Sequence, residues 1–358
     1  MAMKKLKDVL EENAKKIDER IEKYIPKRYD GGLLQFVYKD STNVDLDAVN
    51  RAISEPFWEF LGRGGKRWRP TLFLLVYEAL GGDPKNPHIL DFSIIPEIIH
   101  NGTLMVDDIE DGSQMRRGKP TLHRMEEFGL DIALNCGNFM YYLPLMIVVR
   151  SNVEDKKKLN IYEAYIQEMV NLSLGQGMDL VWHKGYARNV SIEEYIQMCS
   201  LKTGTLARMS SKFAGILAGA DDETIKRVGE FIESLGVAFQ IQDDVLDITG
   251  SNKFGKTIGG DITEGKRSFM VVHVLQDKNA KEEDKRRLRE ILDMHTGDKE
   301  LIREAIDIIR EYGAVDHAKG YAEKIVTDAW NDVDEILPES VAKNLLKEFK
   351  DYLIEREI

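Results

Sequence analysis

The sequence predicts an all-α protein that folds as one domain. Apolar residues recur three or four positions apart through long stretches, and no useful length of chain shows the apolar–polar alternation of a β-strand. Only 9 prolines occur among the 358 residues, so few positions interrupt a helix. Because no segment is both long and polar enough to serve as an interdomain linker, we expect a single domain over residues 1–358.

Charge and cysteine content exclude several functional classes. The formal net charge of −12 opposes binding to nucleic acid or to an anionic membrane surface. An anionic substrate would therefore need a local cluster of cations or a metal ion. The two cysteines, Cys136 and Cys199, lie far apart, which argues against a disulfide framework and against a thiolate zinc site. These features are typical of a protein of the reducing cytoplasm.

The N-terminal region, residues 1–28, is predicted to form an amphipathic helix. Its apolar residues recur at helical spacing and are interleaved with charged residues, unlike a secretory signal. Residues 29–45 are predicted to be a loop or arm. The most apolar stretch, residues 139–149, is shorter than the roughly 20 residues that cross a bilayer. We therefore expect a soluble cytoplasmic protein without stable membrane insertion.

Helical periodicity also locates individual elements of the main body. Ser191 and Glu194 have the spacing of a capping box, which predicts a helix starting there. Residues 112–120 and 250–260 break the helical pattern. The clearest predicted helices are 159–178, 192–199, 224–248, 281–294, 300–312 and 320–332.

An acidic motif ends the apolar helical run before residue 107. Asp107 and Asp111 are four positions apart and share a helix face, and Asp108 flanks them. Carboxylates this close repel one another and require cations. Hard oxygen ligands suit Mg²⁺, so the motif predicts a magnesium site.

A second acidic motif, Asp243, Asp244 and Asp247, has the same spacing and also ends an apolar run. A single motif of this kind is more often a solvated helix face. Two copies, each preceded by an apolar helix, favour carboxylates that line the rim of a cavity. The sequence therefore predicts metal ligands in both motifs.

Basic residues accompany both acidic motifs. Each basic residue alone would be read as a surface charge, but arginine and lysine are also the usual ligands of phosphate oxygens. Basic groups beside metal-binding carboxylates describe a site for diphosphates, one bridged by Mg²⁺ and another held by cations alone. The basic residues are Lys66, Arg67, Arg69, Arg116, Arg117, Lys119, Lys202, Lys256, Lys266 and Arg267.

Taken together, these segments resemble the trans-isoprenyl (polyprenyl) diphosphate synthase family, in particular archaeal geranylgeranyl and farnesyl diphosphate synthases. The resemblance spans roughly residues 50–275 and is specific in order and spacing. It implies an isoprenoid synthase bundle of helices around a central cavity, usually a homodimer, with two or three Mg²⁺ ions in each active site. The segments that carry it are GGKRWRP, HNGTLMVDDIEDGSQMRRGKPTLH, KTG, FQIQDDVLD and GKTIGGDITEGKR.

The resemblance also implies a role for each matching residue. The family condenses isopentenyl diphosphate with dimethylallyl, geranyl or farnesyl diphosphate by ionisation, condensation and elimination. Isopentenyl diphosphate would be held by Gly65, Lys66, Arg69, His100 and Arg117. The allylic diphosphate would be contacted by Arg116, Lys202, Lys256 and Lys266, with Thr203 and Gln240 near the developing carbocation. Mg²⁺ would be bound by Asp107, Asp108, Asp111, Asp243 and Asp244, and less directly by Asp247.

The residues before Asp107 bear on product length. Gly102 and Thr103 lie roughly 6–8 Å from Asp107 along a helix, because each residue adds about 1.5 Å. In the family, a bulky aromatic residue here stops chain growth at fifteen carbons, and both residues of this chain are small. We therefore expect a longer product, geranylgeranyl diphosphate in particular. Ile95, Ile98 and Ile99 could form the next stop, and Gly102 could instead serve close helix packing.

Three other functions remain as alternatives. A longer-chain polyprenyl diphosphate synthase would share every motif. A class I terpene cyclase shares the acidic motif and the bundle, but it binds no second diphosphate and gives GGKRWRP, His100 and Arg117 no purpose. A non-catalytic prenyl-synthase subunit usually lacks one acidic motif, whereas this chain keeps both.

Overall fold

The computed structural model describes residues 5–38, 43–186, 189–250 and 258–354. In these residues the regular structure is helical apart from one antiparallel hairpin, formed by β1 (Met115–Arg116) and β2 (Lys119–Pro120). The prediction of an all-α protein is confirmed. The helices group into two units, which are described separately.

The first unit comprises Met1–Tyr165, Met209–Ile225 and Leu337–Leu346. Within it α7 packs along α8, and α1 packs against α5 and α6. A π-helical turn at Asn50–Ser54 leads into α4, and a 3₁₀ turn lies at Leu122–Arg124. Its helices are α1 (Leu6–Tyr24), α2 (Gly31–Val37), α3 (Leu46–Val49), α4 (Glu55–Leu61), α5 (Trp68–Ala79), α6 (Ile89–Ser93), α7 (Ile95–Glu110) and α8 (Gly129–Arg150).

The second unit comprises Ile166–Arg208, Lys226–Ile336 and Lys347–Ile358. Within it α14 packs against α10 and α17, and α15 packs against α16. A π-helical turn, Ser200–Gly204, joins α10 to α11. The helices that follow α8 in the chain are α9 (Asp155–His183), α10 (Ile192–Cys199), α11 (Thr205–Ala218), α12 (Asp222–Thr249), α13 (Gly260–Thr263), α14 (Phe269–Gln276), α15 (Glu282–Asp293), α16 (Lys299–Glu311), α17 (Ala314–Asp334) and α18 (Val341–Ile354).

Four of these helices, α9, α11, α12 and α18, have residues in both units. The single domain over residues 1–358 stays a prediction.

The helices predicted from apolar periodicity are confirmed. Each predicted segment lies within α9, α10, α12, α15, α16 or α17, to within one residue at its ends. The capping box at the start of α10 is also present. The Glu194 backbone N–H donates to Ser191 Oγ at 3.1 Å, and the Ser191 N–H donates to Glu194 Oε2 at 2.8 Å. Local capping and periodicity therefore determine these helices.

The predicted loop at residues 29–45 is partly wrong, because α2 occupies Gly31–Val37. Asp30 caps this helix by accepting a hydrogen bond from the Leu33 N–H at 2.8 Å. Leu34 is buried and packs with Tyr29 and Ile53. One cap and one buried side chain stabilise a helix too short to show periodicity. Residues 39–42 of the predicted arm lie outside the described residues.

Two helical stretches of the structure are long and apolar enough to cross a membrane by length and composition alone. They are Ile89–Glu110, which comprises α6 and α7, and α8. The apolar run in residues 139–149 thus belongs to a helix longer than the run itself. Core helices of water-soluble proteins pass the same test, and most of the Ile89–Glu110 stretch is buried.

The packing of α7 on α8 depends on two glycines. A Cβ placed on Gly102 would lie 2.9 Å from both the Gly137 carbonyl oxygen and Met140 Cβ, and one on Gly137 would lie 2.9 Å from Val106 Cγ2. Because neither glycine has a side chain, the two helix backbones approach closely. Gly102 therefore serves close helix packing, which was the alternative role considered for it.

The Gly102→Ala variant should lower the free energy of unfolding by about 1–3 kcal/mol, because the added methyl group has no room beside α8. Gly320→Ala is the matched control. Gly320 lies inside α17 with no atom near its Cβ position, so alanine should stabilise by about 0.5–1 kcal/mol. Urea unfolding followed by circular dichroism measures both. A Gly102→Ala variant as stable as the parent would contradict the close approach.

Candidate active site

The first acidic motif lies at the C-terminal end of α7. The helix ends at Glu110, and the Asp111 N–H donates to the Asp107 carbonyl oxygen at 2.9 Å, so these residues lie one turn apart as predicted. The Asp107 side chain is 20% exposed, whereas that of Asp108 is 2% exposed. The two adjacent aspartates therefore have different environments despite their shared motif.

Asp108 is held by Arg116, which lies on β1. Asp108 Oδ1 accepts hydrogen bonds from Arg116 Nε at 2.8 Å and from Nη2 at 2.6 Å, and Nη2 lies 3.5 Å from Asp107 Oδ2. Burial raises the pKa of Asp108, and the positive charge of Arg116 opposes that rise. Arg116 thus has carboxylate partners in this structure. Its contact with a diphosphate and metal ligation by Asp108 stay predictions.

The glycine-led basic segment forms a tight loop between α4 and α5. Gly64 and Gly65 have φ values of +95° and +144°, where a side chain would be strained. Arg67 also adopts a left-handed conformation, with φ of +49°. Such a conformation is uncommon in a residue with a side chain and persists only where surrounding contacts hold it.

Arg67 supplies those contacts by pointing into the protein. Its Nε donates to Asp18 Oδ1 on α1 at 2.7 Å, and its Nη2 donates to the Leu61 carbonyl oxygen at 3.1 Å. Its Nη1 lies 3.4 Å from Oε1 of the buried Glu97 on α7. Arg67 therefore anchors the loop that carries Lys66 and Arg69. This role is not evident from the sequence, because nothing local distinguishes Arg67 from its basic neighbours.

His100 lies on α7 among arginines. Burial is the largest cause that holds the pKa of His100 well below its usual value, followed by the charges of Arg69, Arg117, Arg116 and Arg67. Its imidazole is therefore neutral at physiological pH. This region of the first unit combines several positive charges, as an anion-binding site requires.

Two of these arginines have fixed orientations. The Arg69 guanidinium stacks over the Trp68 ring at 4.3 Å, and Arg117 donates to the Gly64 carbonyl oxygen. Lys66 is exposed on the same loop. The structure therefore brings together the residues predicted to hold isopentenyl diphosphate, and that role itself stays a prediction.

The second acidic motif lies near the C-terminal end of α12, and its middle aspartate is enclosed. Asp244 Oδ2 accepts hydrogen bonds from the Tyr195 hydroxyl at 2.7 Å and the Phe269 N–H at 3.2 Å, and Oδ1 accepts from Gln240 Nε2 at 2.9 Å. Burial, followed by the charge of Asp261, raises the pKa of Asp244 to about 7. Its oxygens thus have protein donors, and metal ligation by Asp244 stays a prediction.

Asp247 and Lys266 meet the start of α13. Asp247 accepts hydrogen bonds from the Gly260 and Asp261 N–H groups, each at 3.1 Å. Lys266 Nζ pairs with Glu264 at 2.5 Å and lies 3.6 Å from Asp261 Oδ1. Asp247 therefore fixes the start of α13, and its less direct role in metal binding stays a prediction. Lys256 lies outside the described residues.

The π-helical turn presents Lys202 and Thr203. Lys202 Nζ lies 2.5 Å from Asp179 Oδ2 on α9, and Thr203 Oγ1 donates to Gln240 Oε1 at 2.9 Å. Because Gln240 also donates to Asp244, a chain of hydrogen bonds links the turn to the second acidic motif. Thr203 and Gln240 thus contact each other within the second unit, and their place near the carbocation stays a prediction.

Several residues of this region escaped the sequence analysis. Asp179 pairs with Lys202, Tyr195 supports Asp244, and Asp261 lies near both Asp244 and Lys266. Only Asp261 had a local signal, since it follows two glycines inside the GKTIGGDITEGKR segment. Asp179 and Tyr195 lie on helices, and no motif around either residue indicates a tertiary contact.

In the part of the chain that the structure describes, no three histidine, cysteine or acidic side chains converge closely enough to hold a metal ion by themselves. Asp108 Oδ2 is buried and has no hydrogen-bond partner there. Mg²⁺ commonly takes only one or two protein carboxylates and completes its octahedron with substrate phosphates and water. Separate aspartates at the helix ends suit that mode of binding.

The two residues considered for product length have different surroundings. Gly102 is buried against α8, so an aromatic side chain has no room there without displacing that helix. The influence of Gly102 on product length stays a prediction. Thr103 is half-buried, and its hydroxyl donates to the His100 carbonyl oxygen at 2.8 Å. Thr103 is thus the more accessible residue of the pair.

A helical fold with two aspartate motifs and a cationic cluster has the features of an enzyme that uses diphosphates. The model of the polyprenyl synthetase family matches residues 50–309 of the chain. The chain belongs to this family and is a trans-prenyl diphosphate synthase.

Three relatives illustrate the similarity. The chain is 35% identical over 295 residues to the short chain isoprenyl diphosphate synthase of Methanothermobacter thermautotrophicus, covering 82% of this chain and 87% of that protein. It is 31% identical over 352 residues to the geranylgeranyl pyrophosphate synthase of Geoglobus acetivorans, covering 98% and 99%. The crystal structure of geranylgeranyl pyrophosphate synthetase from Pyrococcus horikoshii Ot3 aligns with a TM-score of 0.83 and 34% identity, covering 98% of each chain. The isoprenoid synthase fold is confirmed.

Proposed function

We propose that the chain condenses isopentenyl diphosphate with dimethylallyl, geranyl or farnesyl diphosphate to make a product of more than fifteen carbons, geranylgeranyl diphosphate in particular. The observation that carries this proposal is the arrangement of charge along α7, where arginines surround His100 and aspartates end the same helix. A diphosphate can be bound by basic side chains alone, or by a metal ion that carboxylates hold. A site with both arrangements suits a reaction with two diphosphate substrates. The names of the three relatives support the same activity.

The reaction needs no protein nucleophile. The allylic C–O bond breaks, diphosphate leaves with the electron pair, and the isopentenyl double bond attacks the allylic carbocation. The released diphosphate is the base that takes the proton, which restores a double bond in the product. Lys202 supplies fixed positive charge near the leaving group, and the Thr203 hydroxyl, oriented by Gln240, faces the carbocation. Exclusion of water from the site would protect the carbocation from hydrolysis.

Asp107, Asp111 and Asp243 would hold the magnesium ions, two or three in each active site, and Asp108, Asp244 and Asp247 would support them. When bound, Mg²⁺ neutralises the charge that develops on the leaving diphosphate. Asp108 and Asp244 orient protein groups in the structure, so we assign them a supporting role.

Asp107→Ala and Asp243→Ala should each lower kcat by about 10³-fold or more, because both motifs serve the same ionisation step. Diphosphate release from farnesyl and isopentenyl diphosphates at saturating Mg²⁺ measures the effect. Asp328→Ala, which removes an exposed carboxylate on α17, is the control and should leave the rate unchanged. Near-normal turnover by Asp243→Ala would show that the second motif is dispensable. A wild-type protein that releases no diphosphate would favour a non-catalytic subunit.

Product length is the finer part of the proposal. Neither position 102 nor position 103 carries a bulky side chain, which supports growth beyond fifteen carbons. Ile95, Ile98 and Ile99 are buried on α7 and are candidates for the next stop. A longer polyprenyl product is the alternative that product analysis would reveal.

Thr103→Phe should shorten the main product to fifteen carbons or fewer while turnover continues, because the aromatic ring fills the space beside α7. Thr103→Val is the matched control, since it keeps the size and shape of threonine and should leave the product unchanged. Mass spectrometry of products made from each allylic starter measures the outcome. An unchanged distribution in Thr103→Phe would assign length control to another element.

We propose that a second copy of this chain covers exposed apolar residues of α9. On α9, Ile166 and Leu174 are 61% and 57% exposed and lie two turns apart on one face. Apolar stripes of this kind are unfavourable in water and typical of subunit interfaces. A homodimer would bury them.

Changing Ile166 and Leu174 together to Glu should convert a dimer to a monomer in sedimentation velocity, because charge replaces the apolar face. Val341→Glu is the control, since Val341 is 64% exposed at the start of α18 and should leave the sedimentation coefficient unchanged. Circular dichroism confirms that the helices are retained. A monomeric wild-type protein would contradict the proposal.

We also propose that the protein acts in the cytoplasm, without nucleic acid and without stable membrane insertion. The net charge of −12 supports this, because it opposes association with anionic polymers and surfaces.

A further inference from the structure

The π-helical turn Ser200–Gly204 needs dedicated support. A π turn widens the helix and disrupts its regular i→i−4 hydrogen bonds, so such turns are rare and are often found at functional sites. Here the Thr205 hydroxyl donates to the Leu201 carbonyl oxygen at 2.6 Å and lies 3.4 Å from that of Ser200. A side chain therefore supplies part of the bonding that the helix backbone gives up.

Two neighbouring helices enclose the turn through glycines. A Cβ on Gly175 of α9 would lie 2.5 Å from the Lys202 backbone nitrogen, and one on Gly236 of α12 would lie 2.7 Å from Gly204 Cα. The backbones of α9 and α12 thus touch the turn on either side. Any change in the separation of these helices would move Lys202 and Thr203.

Arg208 joins the same two helices. It forms a two-pronged ion pair with Glu168 of α9, with Nε to Oε1 at 2.9 Å and Nη2 to Oε2 at 2.6 Å. Its Nη1 donates to Glu233 Oε2 of α12 at 2.6 Å. Glu168 is fully buried and Arg208 is 8% exposed, so these charges depend on one another.

The network also reaches the turn directly. Arg208 Nη1 lies 3.4 Å from Ser200 Oγ, and the Ser200 hydroxyl donates to Glu233. Arg208 Nη2 lies 3.3 Å from Thr205 Oγ1, the hydroxyl that bonds Leu201. The residues on both edges of the π turn therefore contact one guanidinium group.

We propose that Arg208, with Glu168 and Glu233, is a positioning group that holds the π turn so that Lys202 and Thr203 meet the allylic diphosphate. The inference rests on the proposed function. Buried ion pairs often add little stability compared with apolar replacements, and a role in fixing one geometry is consistent with that. The contacts of Arg208 with Ser200 and Thr205 carry its effect to the turn.

The test compares Arg208→Lys, which keeps the charge but loses the fork, with Ser200→Ala, which removes only the link to the turn. Both variants should lower kcat, and both should lower the rate of geranyl diphosphate hydrolysis measured without isopentenyl diphosphate. For Arg208→Lys we expect a decrease of about 10- to 100-fold, because misplacement of a catalytic group by about 1 Å has an effect of that size. The KM for isopentenyl diphosphate should change by less than about twofold. Arg69→Ala should show the opposite pattern, with a raised KM.

Arg287→Lys is the matched control. Arg287 makes the same forked pair with Glu304, at 2.7 and 2.8 Å, between α15 and α16, and its variant should keep full activity. If Arg208→Lys does not fold, the kcat and geranyl diphosphate hydrolysis of Ser200→Ala test the positioning role. Folded variants whose kcat and geranyl diphosphate hydrolysis match the wild type would overturn the positioning role. A wild-type protein without turnover would instead refute the proposed function.

Discussion

Repulsion between like charges is the constraint on which the rest of this structure depends. An enzyme for diphosphates must gather carboxylates in one place and arginines in another, and neither group is stable by itself in a partly buried site. In the first unit Asp108 is neutralised by Arg116, and Arg67 by Asp18 and Glu97. The ion pairs that permit this crowding also hold the loops and turns that present the functional groups.

Both acidic motifs divide their aspartates in the same way. The middle aspartate of each, Asp108 and Asp244, is almost fully buried and accepts hydrogen bonds from protein donors, whereas the first of each, Asp107 and Asp243, is only partly buried. Successive residues on a helix point about 100° apart, so one of two adjacent aspartates turns towards the protein. The double aspartate is thus an arrangement in which one residue stays partly exposed and its neighbour anchors the helix end.

The sequence was informative wherever a local pattern decides the outcome. Periodicity located the long helices, the Ser191 capping box located the start of α10, and the spacing of Asp107 and Asp111 placed them one turn apart. It failed where tertiary packing decides. It left two roles open for Gly102, because no pattern in the sequence measures the rotation of α7 that turns Gly102 towards α8. Asp179 was missed because its partner Lys202 lies 23 positions away on another helix.

Arginine geometry explains how the functional segments stay irregular inside a helical protein. The loop at Gly64 and the π turn at Ser200 both depart from regular backbone structure, which costs free energy. Each is stabilised by a buried arginine that reaches two acidic side chains, Arg67 in the first unit and Arg208 in the second. A guanidinium has five donors in a planar fork, so one side chain bonds carboxylates on two helices and a group of the irregular segment together. Lysine, a point charge on a flexible stem, cannot hold three such partners in fixed directions, and this is why arginine occupies both positions.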